Sequence, residues 1–152
     1  MKIRKAKADD AEDACAVLRR SIVDLCGADH HGDAATIAAW LANKTAETMR
    51  RWIAQSHVFV AVEQGGILGV GAVTSSGEIT LNYVSPDARF RGVSKALVRR
   101  LERQAATLGV QTVTLHSSET ALVFYYSVGY RDAGPPAKGF GITSAYPMAK
   151  RL

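Results

Sequence analysis

The sequence predicts a mixed α/β fold in which helices cover both faces of a central sheet. Segments with strand-like and helix-like hydrophobic patterns follow one another along the whole chain, and no linker, internal repeat or low-complexity stretch separates them. With 152 residues, of which 47% are hydrophobic and 22% charged, the composition is that of a globular protein. A chain of this length buries about 70% of its unfolded surface on folding. We therefore expect one domain that spans residues 1–152.

The predicted elements start with a strand and three helices and end with a pair of strands. In chain order they are a strand (2–7), three helices (9–26, 34–43 and 46–55), three strands (57–63, 67–75 and 78–85), a helix (89–108), a strand (111–117), a helix (119–128) and two strands (129–134 and 141–152).

Capping residues justify several of these boundaries. Asp9, with Glu12 three residues later, has the pattern of a capping box. Asp33 and Thr45 are suited to be the N-caps of the next two helices, with a loop at 27–33 before the first of them.

Residues 57–75 have the pattern of a β-hairpin. The apolar segments "HVFVAVE" and "ILGVGAVTS" are joined by "QGG", which is typical of a tight turn. The glycines of "GGILGVGAV" do not have the spacing of a dinucleotide-binding loop, and they lie inside the hairpin instead of between a strand and a helix. We therefore expect a strand here and no NAD site.

Positive charge is concentrated in one predicted helix. The chain carries a net charge of +5, and residues 89–103 contain six cationic side chains against one anionic side chain, a surplus of five. A basic segment can bind nucleic acid or a phosphorylated small molecule. Because the rest of the chain is near charge balance, the pattern favours the small molecule over nucleic acid.

The start of this helix has the features of an anion-binding site. The first N–H groups of a helix lack helical partners, and the helix dipole is positive there. Gly92 leaves room for a phosphate, and Ser94 adds a hydroxyl. Arg89, Arg91 and Lys95 add positive charge, so the segment suits a diphosphate. The alternative is a glycine that eases helix packing beside a solvated basic face.

The segment "RFRGVS" (89–94) resembles the acyl-CoA-binding signature of the GNAT superfamily of N-acyltransferases. That signature has Arg or Gln, two residues, Gly, one residue, and then Gly or Ala. Arg89 and Gly92 match it, whereas Ser94 stands where Gly or Ala is usual and Phe90 where many members have Gly.

A second segment, "SETALVFYYSVGYR" (118–131), resembles a later helix of the same family. Ser118 stands where the family commonly has Asn. The matching residues are Ala121, Phe124, Tyr125, Gly129 and Tyr130. A strand of the expected length separates the two segments, and the element order of the whole chain agrees with the family.

The resemblance implies a GNAT-like fold, with a mostly antiparallel sheet and one parallel pair of strands that splay apart, at 78–85 and 111–117. It also implies acetyl-CoA as co-substrate and no metal. The pantetheine arm would pair with backbone near Tyr83, Val84 and Ser85, with Ser118 nearby. The diphosphate would lie on the segment after Arg89, against Arg91, Gly92, Val93, Ser94 and Lys95.

The resemblance also implies the chemistry, which is acetyl transfer to a primary amine without a covalent acyl-enzyme. Tyr125 would be the general acid for the leaving thiolate. The family's usual glutamate base is replaced by Thr80. Glu78 is the substitute base, and simple strand alternation would place it on the same face as Thr80 and Asn82. His116 or a chain of waters is the alternative.

The acceptor stays open at this stage, between a small-molecule amine and a protein or peptide amine. Asp29, His30, His31 and Asp33 are candidates for recognising an amine or a carboxylate, and they are poorly spaced for a metal. Two further readings are a toxin-like acetyltransferase of aminoacyl-tRNA and a non-catalytic module that binds acyl-CoA or nucleic acid on the same scaffold.

The remaining expectations concern location and assembly. The N-terminus lacks a signal-peptide pattern, the apolar runs are too short to span a membrane, and Cys15 and Cys26 have no need of a disulfide. We therefore expect a cytoplasmic protein that does not act at a membrane. Dimers are common in the family, so a homodimer formed through the edge of the hairpin or through the final strands is an open expectation.

Overall fold

The computed structural model describes residues 1–152, and its elements follow the predicted order. The helices are α1 (Ala11–Leu25), α2 (Gly27–His30), α3 (Ala34–Leu41), α4 (Ala46–Gln55), α5 (Val93–Thr107) and α6 (Leu122–Ser127). The strands are β1 (Lys2–Lys5), β2 (His57–Glu63), β3 (Gly66–Val73), β4 (Glu78–Val84), β5 (Thr112–Ser117), β6 (Arg131–Asp132), β7 (Ala137–Lys138) and β8 (Ser144–Arg151).

The strands form one sheet in the order β1-β2-β3-β4-β5-β8-β6. The short strand β7 also pairs with β8, at the start of β8, whereas β6 pairs further along it. Every pair is antiparallel except β4 and β5, which run parallel. The predicted mixed α/β sheet is therefore confirmed. The β2–β3 hairpin lies inside the sheet, between β1 and β4, so neither of its strands has a free edge. The expectation that an edge of the hairpin could pair in a dimer is therefore wrong.

The two faces of the sheet are covered by different helices. In β2, Phe59 and Ala61 join the hydrophobic cluster that α5 completes, whereas Val58 and Val60 join the cluster that α1 and α4 complete. This division follows from the alternation of side chains along a strand. The predicted cover of helices on both faces is confirmed.

The glycines of β3 allow α5 to lie close to the sheet. A Cβ atom on Gly69 would be 2.8 Å from Cγ1 of Val93, and one on Gly71 would be 3.1 Å from Cδ1 of Leu101. The turn before β3 has positive φ angles at Gln64 and Gly65, as a two-residue hairpin turn requires. These glycines therefore belong to a hairpin strand, as predicted.

The parallel strands β4 and β5 separate soon after they meet. Glu78 pairs with Thr114 and Ile79 with Leu115, and no later residue of β4 pairs with β5. From this point towards Val84, the edge of β4 that faces β5 has no strand partner. The predicted splay of the parallel pair is confirmed.

A β-bulge at Thr80 changes which way the side chains of β4 face. Ile79 and Leu81 lie opposite consecutive residues of β3, so Thr80 is an extra residue in the pairing. Ile79 joins the α5 cluster and Leu81 the α1 cluster. Glu78 and Asn82 consequently face opposite sides of the sheet, and the prediction that they share a face is wrong.

The helix caps were predicted in part. Asp33 accepts a hydrogen bond from the N–H of Thr36, and Thr45 accepts one from the N–H of Thr48, as predicted. The capping box at Asp9 is wrong, because residues Ala8–Asp10 form a 3₁₀ turn and α1 starts only at Ala11.

Several other boundaries differ from the prediction. Residues 27–33, expected to be a loop, contain the single-turn helix α2. The basic helix starts at Val93 instead of residue 89, because Pro86–Ala88 form a 3₁₀ turn and Gly92 is left-handed. β6 has only two residues, and 137–138 form a further strand. No helix combines the length and apolar character needed to cross a membrane.

Candidate active site

Two cavities meet in the gap between β4 and β5. The larger, of about 610 Å³, lies between the end of β4, the start of α5 and α6, and we call it the basic cleft. The smaller, of about 260 Å³, lies between β4, β5, α3 and the loop from β7 to β8, and we call it the inner cavity. The cleft is lined by Val84, Arg89, Gly92 and Lys95 among others, and the inner cavity by Trp40, Lys44, His116, Tyr125 and Phe140 among others. Both are lined by Asn82, Tyr83, Ser118 and Ala121.

The floor of the basic cleft is the N-terminus of α5. Phe90 and Gly92 have φ angles of 64° and 77°, so the chain turns sharply before the helix begins. The first hydrogen bond of this turn runs from the N–H of Ala96 to the carbonyl of Gly92. A Cβ atom on Gly92 would meet nothing within 4 Å, so the space beside these amides is open. An anion can therefore approach the backbone here.

The basic side chains of this segment have different partners. Arg91 donates two hydrogen bonds to the Glu63 carboxylate, at 2.7 and 2.9 Å, and it does not line the cleft. The Arg89 guanidinium lies 4.5 Å from the centre of the Phe90 ring. Arg89 and Lys95 do line the cleft, so they are the side chains that supply its positive charge.

The end of β4 is only partly free to bind a ligand. Tyr83 and Val84 line the basic cleft. Ser85 does not line it, because its N–H donates to the carbonyl of Leu68 at 2.7 Å and its hydroxyl accepts from the N–H of Asp87. Of the residues predicted to contact the co-substrate, Tyr83, Val84, Arg89, Gly92, Val93, Ser94, Lys95 and Ser118 line the cleft.

Tyr125 lines the inner cavity next to Asn82, and only 6% of its surface is exposed. Its hydroxyl oxygen accepts a hydrogen bond from Nδ2 of Asn82 at 3.2 Å, and burial raises the pKa of Tyr125 to about 12. The phenol is therefore protonated at neutral pH, and its own hydrogen is free to be donated. Oδ1 of Asn82 is buried without a hydrogen-bond partner, so it can accept from an N–H of a bound ligand.

Glu78 lies outside both cavities, at the closed end of the parallel pair. Its Oε2 is 3.8 Å from Nδ1 of His116. His116 itself lines the inner cavity. A proton that leaves the cavity towards Glu78 would therefore pass through His116 or through water.

Most of the residues expected to recognise the acceptor instead hold the backbone in place. Asp29 accepts from the N–H groups of Glu119 and Thr120, and so ties α2 to the turn before α6. His30 is bonded at both ring nitrogens, to the carbonyl of Ile22 and the N–H of Gly32. Asp33 is a helix cap and His31 is exposed, and only Asp29 lines the inner cavity.

The sequence patterns predict neither Lys44 nor Phe140 as a residue of the inner cavity, and they place Asn82 only on a strand face and not in the site. Lys44 is buried between α3 and α4, and Phe140 belongs to the loop between β7 and β8. The one available signal was the position of Lys44 just before the N-cap Thr45, where a cation opposes the helix dipole. For Phe140 the sequence holds no such signal, because its place depends on how the loop packs against Trp40.

The chain belongs to the GNAT acetyltransferase family. The family's sequence profile, described as acetyltransferase (GNAT) domain, matches residues 27–152. The resemblance predicted from the two sequence segments is therefore confirmed. Among curated proteins no sequence matches the chain.

Solved structures with the same fold agree with this assignment. A GCN5-related N-acetyltransferase from Rhodopseudomonas palustris superposes with a TM-score of 0.90 at 23% identity, over 99% of this chain and 95% of that chain. The PaiA N-acetyltransferase of Thermoplasma acidophilum, solved with coenzyme A, has a TM-score of 0.81 at 19% identity, over 99% and 98%. YncA of Salmonella typhimurium, solved with acetyl-CoA, has a TM-score of 0.77 at 17% identity, over 100% and 94%. The GNAT-like fold is thus confirmed.

Proposed function

We propose that the protein is an acetyl-CoA-dependent N-acetyltransferase. In this proposal a primary amine attacks the thioester directly in a ternary complex, and no covalent intermediate forms on the enzyme. The observation that carries the proposal is the meeting of two cavities at Asn82 and Ser118, beside the buried hydroxyl of Tyr125. One cavity suits a phosphorylated donor and the other a small acceptor.

The basic cleft supports the donor half of the proposal. The amides at the start of α5 and the side chains of Arg89 and Lys95 would hold the diphosphate. The unpaired edge of β4 near Tyr83 and Val84 would bind the pantetheine amides, and the orphaned Oδ1 of Asn82 offers a further acceptor. These residues fit CoA, and in this role Arg91 acts only through its backbone.

Tyr125 and Asn82 support the assignment of the general acid. When the C–N bond has formed and the C–S bond breaks, the phenol would donate its proton to the departing sulfur. The N–H of Asn82 that bonds the phenol oxygen would stabilise the phenolate that is left. A proton from the inner cavity would then restore Tyr125.

His116 and Glu78 support the removal of a proton from the acceptor. An alkyl amine with a pKa of about 10.4 is neutral in only about one molecule in 2,500 at pH 7, so a proton acceptor is needed. His116 lines the cavity and has Glu78 behind it, so His116 would take the proton and Glu78 would be its positioning partner. This refines the prediction of Glu78 as the base.

The volume of the inner cavity supports a small-molecule amine over a protein amine. At about 260 Å³ it is smaller than most ligand pockets. We also propose that residues 1–152 act as one domain, since β1 and β8 belong to one sheet. A cytoplasmic location is supported by the two free, buried cysteines. A homodimer stays a prediction.

The experiment that tests the proposal is acetyl transfer to a panel of amines. The purified protein is incubated with acetyl-CoA and each amine in turn, thiol release is followed, and the acetylated product is identified by mass spectrometry. We expect thiol release that depends on the amine and equals the amide formed. Thiol release that no small amine, peptide or protein accelerates above hydrolysis would overturn the proposal.

A further inference from the structure

Lys44 is a buried cation to which the protein gives no counter-ion. Only 6% of its surface is exposed. Its Nζ donates one hydrogen bond, to Oδ1 of Asn43 at 2.7 Å, and none of the ion pairs of the protein includes it. An ammonium group has three N–H bonds, and a buried charge is unfavourable unless it is paired. The side chain is therefore prepared for an anion that the chain itself does not contain.

The backbone of Lys44 is fixed at the wall of the inner cavity. Its carbonyl oxygen accepts hydrogen bonds from Nη1 of Arg19 at 2.8 Å and from Sγ of Cys15 at 3.1 Å. The next residue, Thr45, is the N-cap of α4. These contacts keep the root of the side chain in place between α3 and α4, so the burial of the ammonium is a built feature of the fold.

Two aromatic rings lie near the ammonium: Phe140 lines the inner cavity, whereas Trp52 lines a neighbouring pocket that Lys44 also borders. Nζ lies 5.0 Å from the ring centre of Phe140 and 6.0 Å from that of Trp52. Phe140 in turn stacks on Trp40, with ring centres 5.9 Å apart and planes inclined by 14°. The stacked rings of Trp40 and Phe140 favour the aliphatic part of a small ligand, and Lys44 offers a charged group beside Phe140.

No other group of the cavity competes for the same anion or neutralises Lys44. Asp29 is the one carboxylate in the lining, and its oxygens already accept from the N–H groups of Glu119 and Thr120 and from the hydroxyl of Thr120. His116 lies at the β5 side, near the groups proposed for proton transfer. Lys44 is therefore the one lysine or arginine side chain in the lining, and no carboxylate of the lining is paired with it.

We propose that the acceptor is a small primary amine that also carries a carboxylate, and that Lys44 binds this carboxylate. The inference rests on the proposed function and names the substrate class of the same site. A single ammonium matches the single charge of a carboxylate, whereas phosphate groups are usually held by several cations or backbone amides. The cavity of about 260 Å³ agrees with a molecule of this size.

The test compares matched amines in the acetyl-transfer assay. ω-Amino acids of two to five carbons are compared with alkylamines of the same length, and α-amino acids are compared with their amides. Both kinds of amino acid are also compared with aminoalkyl phosphonates. For the wild type we expect kcat/KM to favour the carboxylate member of a pair by about 30-fold or more, the lower range for a buried charge pair. In Lys44→Met, which keeps length and apolar packing, this preference should fall to about threefold or less.

Lys5→Met, which removes an exposed lysine of β1, is the matched control and should keep the preference. The proposal is overturned if wild type treats both members of each pair alike, if the preference survives in Lys44→Met, or if phosphonates are the better acceptors. An equal loss of rate with both members of every pair would also overturn it, because Lys44 would then serve the chemical step. All these results leave the acetyltransferase proposal standing.

A second measurement keeps the inference testable if the panel contains no good acceptor. The melting temperature of the CoA-saturated protein is recorded with butyrate and with butyramide. We expect stabilisation by butyrate only, and its loss in Lys44→Met. No stabilisation of the wild type by butyrate would overturn the inference, whereas failure of the protein to bind CoA would count against the proposed function instead.

Discussion

At the scale of single residues, the candidate site contains two buried polar side chains, Tyr125 and Lys44, whose surroundings set their protonation. Tyr125 is kept as a neutral phenol by burial, and Asn82 donates to its oxygen. Lys44 is kept as a cation at neutral pH, although burial lowers its pKa to about 8. Each of the two can be tested by a substitution that removes one polar group and little else.

Tyr125→Phe should lower kcat by about 100-fold or more, the usual contribution of a general acid, because only the proton donor is removed. The dissociation constant of acetyl-CoA should change by about twofold or less, since Tyr125 does not line the basic cleft. The neighbouring Tyr126→Phe is the matched control, because the Tyr126 hydroxyl is exposed and bonded to Asp132. An unchanged kcat in Tyr125→Phe, measured by thiol release, would show that the acid is another group.

Lys44→Met should stabilise the protein at pH 7, and the gain should shrink as the pH rises towards 10. The folded state releases the proton of Lys44 near pH 8, whereas the unfolded chain holds it to about 10.5. In this window the unfolded state binds more protons, so the stability of the wild type rises with pH. The gain at pH 7 is at most about 3 kcal/mol.

Urea unfolding of both proteins at several pH values from 7 to 9.5 measures this gain directly. The wild-type and variant proteins share all other titratable groups, so the difference between their unfolding free energies isolates Lys44. A difference that stays constant across this range would contradict the burial of an unpaired ammonium.

At the scale of secondary-structure elements, the position of α5 on the sheet sets the geometry of the basic cleft. α5 is supported by β3, whose Gly69 leaves no room for a side chain. A Cβ there would lie 2.8 Å from Cγ1 of Val93, 3.0 Å from Cδ1 of Leu97 and 3.0 Å from the carbonyl oxygen of Tyr83. The absence of a side chain at Gly69 thus lets the first turn of α5 pack directly against β3, where this turn lines the basic cleft.

Gly69→Ala should reduce both stability and co-substrate affinity, because the added methyl pushes the start of α5 away from β4. Overpacking of this kind costs about 1–3 kcal/mol. Gly66→Ala in the same strand is the control, since its Cβ would meet only the carbonyl of Glu63 at an ordinary 3.6 Å. Unfolding in urea and titration with acetyl-CoA measure the two effects. Wild-type values for both would contradict this role of Gly69.

The sequence predicted the order of the elements because that order follows from local patterns. Apolar segments bounded by turn residues indicate the strands, Asp33 and Thr45 indicate two helix starts, and the glycine spacing in 65–73 indicates a hairpin strand. The bulge at Thr80 could not be predicted in this way. The bulge depends on how β3 pairs with β4. Because of it, the side chains of Glu78 and Asn82 lie on opposite faces of the sheet instead of on the same face.

At the scale of the whole molecule, the inner cavity is assembled from segments that are far apart in the chain. The loop that carries Phe140 is fastened to α3 by a hydrogen bond from the N–H of Ile142 to Oγ1 of Thr36, at 3.1 Å. Asp29 fastens α2 to the turn before α6 across about ninety residues of chain. No local pattern reports such contacts, so the sequence predicts neither Lys44 nor Phe140, whereas eight of the ten residues predicted to contact the co-substrate line the basic cleft.

The central claim is that the start of α5 binds the diphosphate of acetyl-CoA, and calorimetric titration with acetyl-CoA tests it most directly. CoA without its 3′-phosphate and ATP are titrated beside it, to separate the diphosphate contacts from those of the rest of the molecule. Gly92→Glu is compared with Gly109→Glu, which has the same left-handed backbone and open surroundings at the other end of α5.

The account predicts a dissociation constant on the order of micromolar for the wild type and for Gly109→Glu. It predicts no measurable binding by Gly92→Glu, because the carboxylate would fill the phosphate position and repel it. Absence of binding by a folded wild-type protein, or equal binding by Gly92→Glu, would contradict the account.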